Sequence, residues 1–354
     1  MKKIIAMLLA LMLVLGLVAC GSTNEPAAQS APEAAPEAAP EAAPEAAPEA
    51  APEAAPEAAP AGATYTIGIS QLVQHVALDA ATQGFIDAVN ETMGEGVVEF
   101  DVQNASNDTN VCATIATSFV SKGVDLILAN ATPALQAAAN ATLDIPILGT
   151  SVTEYGVAMG IENFSGTVGG NISGTSDLAP LSEQAAMLVE LFPEAKNVAL
   201  IYCSAEANSQ YQVDVVKAEL EGKGLTAELY PFSDSNDLAQ VATAACQFAD
   251  VIYVPTDNTV ASATGTIDGI ARPAGVPIIA GEEGICAGCG VATLSISYYD
   301  LGYGTGLMAC KILTGEADIS TMPIEYAPQF TKKYNAEIAA ELNVTIPDDY
   351  VVIE

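Results

Sequence analysis

From Thr64 onward the chain alternates two kinds of hydrophobic pattern. Short runs rich in aliphatic and β-branched residues fall at Tyr65–Ser70, Val97–Asn104, Val124–Asn130 and Ile145–Thr150, and again at Val198–Cys203, Thr226–Phe232, Val251–Pro255 and Val276–Ala280. Between them lie stretches with apolar residues three and four apart: Ala77–Met93, Thr109–Lys122, Pro133–Leu143, Ala179–Leu191, Ala207–Lys223 and Asp237–Phe248. Runs that are apolar throughout and separated by helices mark parallel strands covered on both faces. Two successive series of similar size predict an α/β architecture of two doubly wound parallel-sheet lobes. A last pair of runs, Val291–Ser297 and Ile324–Phe330, flanks a helix at Asp300–Leu313. It is too small for a third domain and predicts a return to the first lobe and then to the second. The Gly-, Ser-, Thr- and Asn-rich segment Gly166–Asp177 reads as a crossover, which makes the connection a three-strand hinge. The expected lobes are 64–175 with 295–322, and 176–294 with 323–354.

Other patterns precede Thr64. Lys2-Lys3 leads an apolar run, Ile4–Val18, the layout of a secretory signal peptide over residues 1–19. Leu17-Val18-Ala19-Cys20 resembles a bacterial lipobox, which implies cleavage before Cys20 and acylation of its thiol. Two or three acyl chains hold a protein on a membrane where one is marginal. An ordinary signal peptide or an uncut anchor is the alternative, although the run falls short of the about 20 residues a spanning helix needs. Residues 20–63 form the expected tether, with seven consecutive Glu-Ala-Ala-Pro units from Glu33 to Pro60. A proline every fourth residue removes a helix donor in each turn. An extended, self-repelling spacer follows, reaching on the order of 130 Å; a low-complexity expansion without further purpose fits the same physics. The head is thus expected at the extracellular face of the cytoplasmic membrane.

Charge narrows the partners. Removing Lys2, Lys3 and the eight glutamates before Thr64 leaves 36 acidic and 8 basic residues, a net charge of −28. Nucleic acid and anionic lipid surfaces both demand clustered Lys and Arg, so neither is an expected partner of the head. Beyond Cys20 there are six cysteines, at 112, 203, 246, 286, 289 and 310. An oxidising exported setting could pair them, but Cys112, Cys246 and Cys310 fall on apolar helical faces, so free core thiols are expected. Cys286-Ala-Gly-Cys289 lacks a second pair and a nearby histidine, so no metal is expected; a local disulfide is its other reading.

In open parallel sheets, ligands bind beyond the carboxyl ends of the strands. Those ends are polar here: Gln71 to His75, Asn130 to Pro133, Gly149 to Ser151, Cys203 to Asn208, Thr256 to Thr259 and Gly281 to Gly284. Ser, Thr, Asp and Asn are also ordinary helix N-caps, but six such ends on two lobes point to one cleft. The segments Gln71-x-x-Gln74-His75-x-Ala77-Leu78-Asp79, Ala131-Thr132-Pro133-Ala134-x-Gln136-Ala137-Ala138, Ser204-x-Glu206-Ala207-Asn208-Ser209, Val254-Pro255-Thr256-Asp257-Asn258-Thr259-Val260 and Gly281-Glu282-Glu283-Gly284 occur in that order. Together they resemble the ABC-transporter substrate-binding proteins of the tryptophan/tyrosine type, over essentially all of residues 64–346. The resemblance implies a type I periplasmic-binding-protein fold with three crossovers. It also implies capture of a small extracellular solute, often an aromatic amino acid, for a permease and ATPase. Val76 stands where the family usually has proline, and cysteines at 203, 286 and 289 are unusual for it; Cys203, bordering the cleft, leaves the ligand open.

An amino acid needs a carboxylate site and an ammonium site. Helix N-termini with hydroxyls bind anions without a cation, and Thr132, Thr150 and Ser151 are placed for that. For the ammonium, Asp257 is the first candidate and Glu282 the second, with Asn258, Ser204 and Asn208 completing the set. His75 and Gln74 lie on the first loop, where His75 would contact the ligand or cap a helix. Arg272, in an expected helix-to-strand connection, reads as a solvated surface residue. With Trp absent, sugar or nucleoside rings would have to stack on Tyr155, Phe164, Tyr298 or Tyr299; such ligands, and a non-transport surface lipoprotein, are the rival readings. An enzyme is not expected: one histidine supports no metal motif or Ser/His/Asp set. Gly302-x-Gly304-x-Gly306 reads as close helix packing. No cofactor is expected, and a monomer is.

Overall fold

The computed structural model describes residues 64–353; the signal peptide, Cys20 and the Glu-Ala-Ala-Pro tether lie outside the described residues. The first series runs β1 (Tyr65–Gln71), α1 (Val76–Met93), β2 (Val98–Asn104), α2 (Thr109–Lys122), β3 (Leu126–Asn130), α3 (Thr132–Ala141), β4 (Ile147–Val152), α4 (Tyr155–Met159) and β5 (Ile172–Ser176). The second runs α5 (Leu181–Leu191), β6 (Asn197–Cys203), α6 (Ala207–Gly222), β7 (Thr226–Phe232), α7 (Leu238–Phe248), β8 (Val251–Val254), α8 (Asn258–Ala261), α9 (Thr264–Ala274), β9 (Ile278–Ala280), α10 (Glu283–Cys289) and β10 (Ala292–Ser295). The chain then adds α11 (Tyr298–Leu313), β11 (Glu325–Tyr326), β12 (Thr331–Tyr334), α12 (Ala336–Glu341) and β13 (Val351–Val352).

These strands form two sheets, ordered β11-β5-β4-β3-β1-β2 and β13-β12-β10-β9-β8-β6-β7. Every neighbouring pair is parallel except β10 with β12. β3, β4, β8 and β9 are buried at every residue, as strands sandwiched between helix layers must be. The helices cover them with one face each. α1, for example, buries Ala77, Leu78, Ala81, Phe85, Ala88 and Val89, a stripe at helical spacing.

The chain passes between lobes three times, after β5, after β10 and after β11. Two details differ from the sequence reading. Segment Gly166–Asp177 contains β5, which pairs with β4 inside the first sheet. β11 likewise belongs to the first sheet, so that sheet ends at Ser176 and Tyr326, whereas the expected boundaries stand at 175 and 322. Arg272 lies in the last turn of α9, ahead of an in-helix Pro273. There it pairs with Asp268, Glu337 and Glu341 at 2.9, 3.0 and 3.2 Å. Among the described residues the six cysteines are free thiols, all but Cys246 buried. No described helix is long and apolar enough to cross a membrane.

Candidate functional site

The carboxyl ends of both sheets meet in a small enclosed cavity of about 10 Å³. The first lobe contributes His75 and Leu78 beyond β1, Ser151 at the end of β4 and Asp177 after β5. The second contributes Thr256, Asp257 and Asn258 beyond β8, Ala261, and Glu282 beyond β9. Tyr298, where the second crossover enters α11, completes the wall. Neither Lys nor Arg lines it. The volume is about that of one water, so an amino acid could enter only if the lobes part.

Two hydrogen bonds hold the lobes across this gap. His75 Nε2 lies 3.2 Å from Asn258 Oδ1, and Asn107 Nδ2 donates to Thr259 Oγ1 at 2.9 Å. Both second-lobe partners are fixed from behind by the buried Glu206 carboxylate. Its Oε2 accepts from Asn258 N–H and Nδ2 at 3.1 and 2.6 Å, and its Oε1 accepts from Thr259 N–H and Oγ1 at 2.9 and 2.8 Å. A buried carboxylate without a cation needs such donors. Burial pulls the His75 pKa down, which favours the neutral ring.

Three carboxyl groups wall the cavity, and they are not equivalent. Asp257 caps α8: its Oδ1 accepts from Val260 N–H at 2.9 Å and its Oδ2 from Cys203 N–H at 2.6 Å. Burial, with neighbouring Glu206, pushes its pKa up to about 7. Glu282 caps α10 in the same way, accepting from Gly284 N–H at 2.6 Å and from Ile285 N–H, and burial raises it to about 7. Asp177 accepts from the Tyr298 hydroxyl at 2.8 Å through Oδ2, while its buried Oδ1 has no partner; burial raises its pKa. Ser151 Oγ is also buried and unpartnered. Ser151 sits at φ 55, inside a register shift between Gly149 and Val152, a kink that takes it out of the ladder.

Of the ten residues expected from sequence, the cavity gathers His75, Ser151, Asp257, Asn258 and Glu282. The other five lie outside its wall. Gln74 is exposed. Thr150 is buried against Thr175, whose hydroxyl donates to it at 3.2 Å. Thr132 is buried at the start of α3, its Oγ1 unpartnered. Ser204 is exposed and donates to Phe232 O at 3.0 Å. Asn208 braces the β8 loop through Thr256 O at 3.0 Å. Cys203 sits in the second lobe's core, and of the four aromatic candidates only Tyr298 reaches the cavity. Sequence reasoning missed Asp177 in the wall and the organising role of Glu206; it offered Tyr298 only as a ring to stack on and Thr256 only as part of a polar strand end. The signal for Asp177 was an ionisable residue directly after a polar strand end, hidden because that strand was read as a crossover.

A larger groove of about 1000 Å³ opens beside the cavity between α1, α11 and the crossovers, sharing Glu282 and Tyr298. Of its acids, which also include Asp300 and Glu325, Glu283 is already paired, with Lys333 at 2.7 Å and Ser295 at 2.6 Å. Two of the buried polar atoms without a partner, Ser151 Oγ and Asp177 Oδ1, belong to residues of the small cavity's wall.

Residues 66–353 match the family described as ABC transporter substrate binding protein. A tyrosine-binding protein of Clostridioides difficile is 38% identical over 261 residues, 73% of this chain and 75% of that one. The crystal structure of an ABC domain in complex with L-Trp from Streptococcus pneumoniae is 32% identical, with a TM-score of 0.78 over 82% of this chain and 100% of that one. The ligand-free, open structure of a substrate binding protein with adhesive properties from Clostridium difficile is 37% identical, with a TM-score of 0.63 over 82% and 99%.

Proposed function

Because the chain belongs to the ABC transporter substrate-binding protein family, a family of solute-binding proteins rather than enzymes, we propose that it is the lipid-anchored receptor of an importer for an aromatic amino acid. The head would close its lobes over the ligand by bending at the three crossovers, then deliver it to a permease and ATPase. Acyl chains on Cys20 and the Glu-Ala-Ala-Pro stretch would keep it at the outer membrane face within reach of that permease. The observation that carries the reading is the interlobe cavity: three buried carboxyl groups, two unsatisfied polar atoms and no cation. That is a wall suited to a positively charged amine. The tyrosine- and tryptophan-binding relatives supply the aromatic class. Greater likeness to the tryptophan-bound relative than to the open one agrees with the closed lobes described above.

A thermal-shift screen of the purified protein against the twenty amino acids, common sugars and nucleosides tests this. Tyrosine or tryptophan at a hundredfold excess over Kd should add about 2.7 kcal/mol of stability. A shift with sugars or nucleosides alone would replace the ligand class, and no shift with any solute would leave the adhesive reading that the open relative favours. Cys20→Ser should move the protein out of the membrane fraction.

A further inference from the structure

We propose that Asp177, rather than Asp257 or Glu282, is the ammonium-binding carboxylate of the cleft, with the ligand's amine seated between Asp177 Oδ1 and Ser151 Oγ. The assignment rests on the amino acid reading above and goes beyond it by choosing among the acids. Asp257 and Glu282 each commit both oxygens to backbone N–H groups of their own lobe. They act as helix caps whatever else is bound. Asp177 is 3% exposed, and although the Thr153 side chain stands close to its carboxyl, Oδ1 has no partner in hydrogen-bond geometry. Ser151 is 5% exposed, and its hydroxyl is equally unpartnered. The two belong together: Val152 pairs with Ser176 across β4 and β5, so Ser151 and Asp177 flank adjacent strand ends, and both line the cavity. Leaving a desolvated carboxylate oxygen without a donor is expensive. An ammonium brings three N–H donors and satisfies the carboxylate and the hydroxyl at once.

The position also gives this site a task. Asp177 lies in the first crossover and Tyr298 at the end of the second, joined by the Tyr298 hydroxyl bond. The amine is therefore read where the chain passes from lobe to lobe. The selected class is α-amino acids, as against carboxylic acids of the same shape lacking the amine.

Calorimetric titration of the purified protein with L-tyrosine, L-tryptophan and their des-amino analogues, 3-(4-hydroxyphenyl)propionate and 3-indolepropionate, decides the matter. Asp177→Asn should weaken the amino acids by about 30-fold, the range of a hydrogen bond to a charged group, and leave the analogues unchanged or improved. Ser151→Ala should weaken the amino acids about fivefold and spare the analogues. An Asp177→Asn protein that holds its amino acid within threefold of wild type overturns the assignment. If that variant does not fold, Ser151→Ala with unchanged affinity overturns it. Wild-type protein that binds no aromatic amino acid removes the proposed function itself, a result distinct from either.

Discussion

At the scale of single residues, two carboxyls balance burial against hydrogen bonding and tip towards the neutral form. Asp257 and Glu282 both rise to about 7, so the folded protein binds protons that the unfolded chain releases above its ordinary carboxylate range. The stability they contribute is fully present below about pH 4 and is lost as pH rises through about 7. His75, lowered by burial, works in the opposite sense, but it is one group against three, since burial raises Asp177 as well. Urea midpoints of the protein alone should therefore fall between pH 5 and pH 8. Glu282→Gln should flatten that slope by up to about 1.4 kcal/mol per pH unit. A midpoint that climbs with pH would show both carboxyls ionised throughout. The same residues show what the sequence could convey about the site. Asp257, Asn258 and Glu282 were visible because each follows an apolar strand and opens a helix. Whether such a residue serves a ligand or only its own helix depends on hydrogen bonds that spacing does not encode.

Among the elements, the tightest packing joins α1 to α11. A side chain on Gly84 would collide with the backbone carbonyl of Tyr299, one on Gly302 with that of Ala81, and one on Gly306 would stand 2.6 Å from Phe85 O. Gly304, on the opposite face, has open space around it. Gly302→Ala is accordingly expected to cost about 2 kcal/mol or more through overpacking. Gly304→Ala should be neutral or gain up to about 1 kcal/mol from helix propensity. Equal unfolding midpoints for the two variants would remove the close crossing as the reason for these glycines. Strands such as β3 and β8 were legible because burial on both faces demands an unbroken apolar run. β5 was not, since Ile172-Ser173-Gly174-Thr175-Ser176 is small and polar. Its hydroxyls are satisfied internally, Thr175 Oγ1 lying 2.8 Å from Thr305 Oγ1 and Ser173 Oγ donating to Met322 O at 3.1 Å. α8 and α10, at four and seven residues, are too short to display a helical period.

For the whole molecule, the contacts of His75 with Asn258 and of Asn107 with Thr259 join the two lobes at the cleft. Each is worth about 1 kcal/mol net, so removing both should shift the balance towards open lobes by roughly tenfold or more. His75→Ala combined with Asn107→Ala is expected to enlarge the radius of gyration in X-ray scattering and weaken cleft ligands to a similar degree. Identical scattering from variant and wild type would assign closure to other contacts. The route of the chain carries a separate consequence. α11 covers α1, and β11 supplies the edge of the first sheet, yet both are synthesised after the entire second series of strands. During translation, then, the half that emerges first must wait for residues beyond 297 before its apolar surface is sheathed. A polypeptide cut short near the second crossover would carry that surface bare, which makes premature termination a route to aggregation rather than to a smaller working receptor.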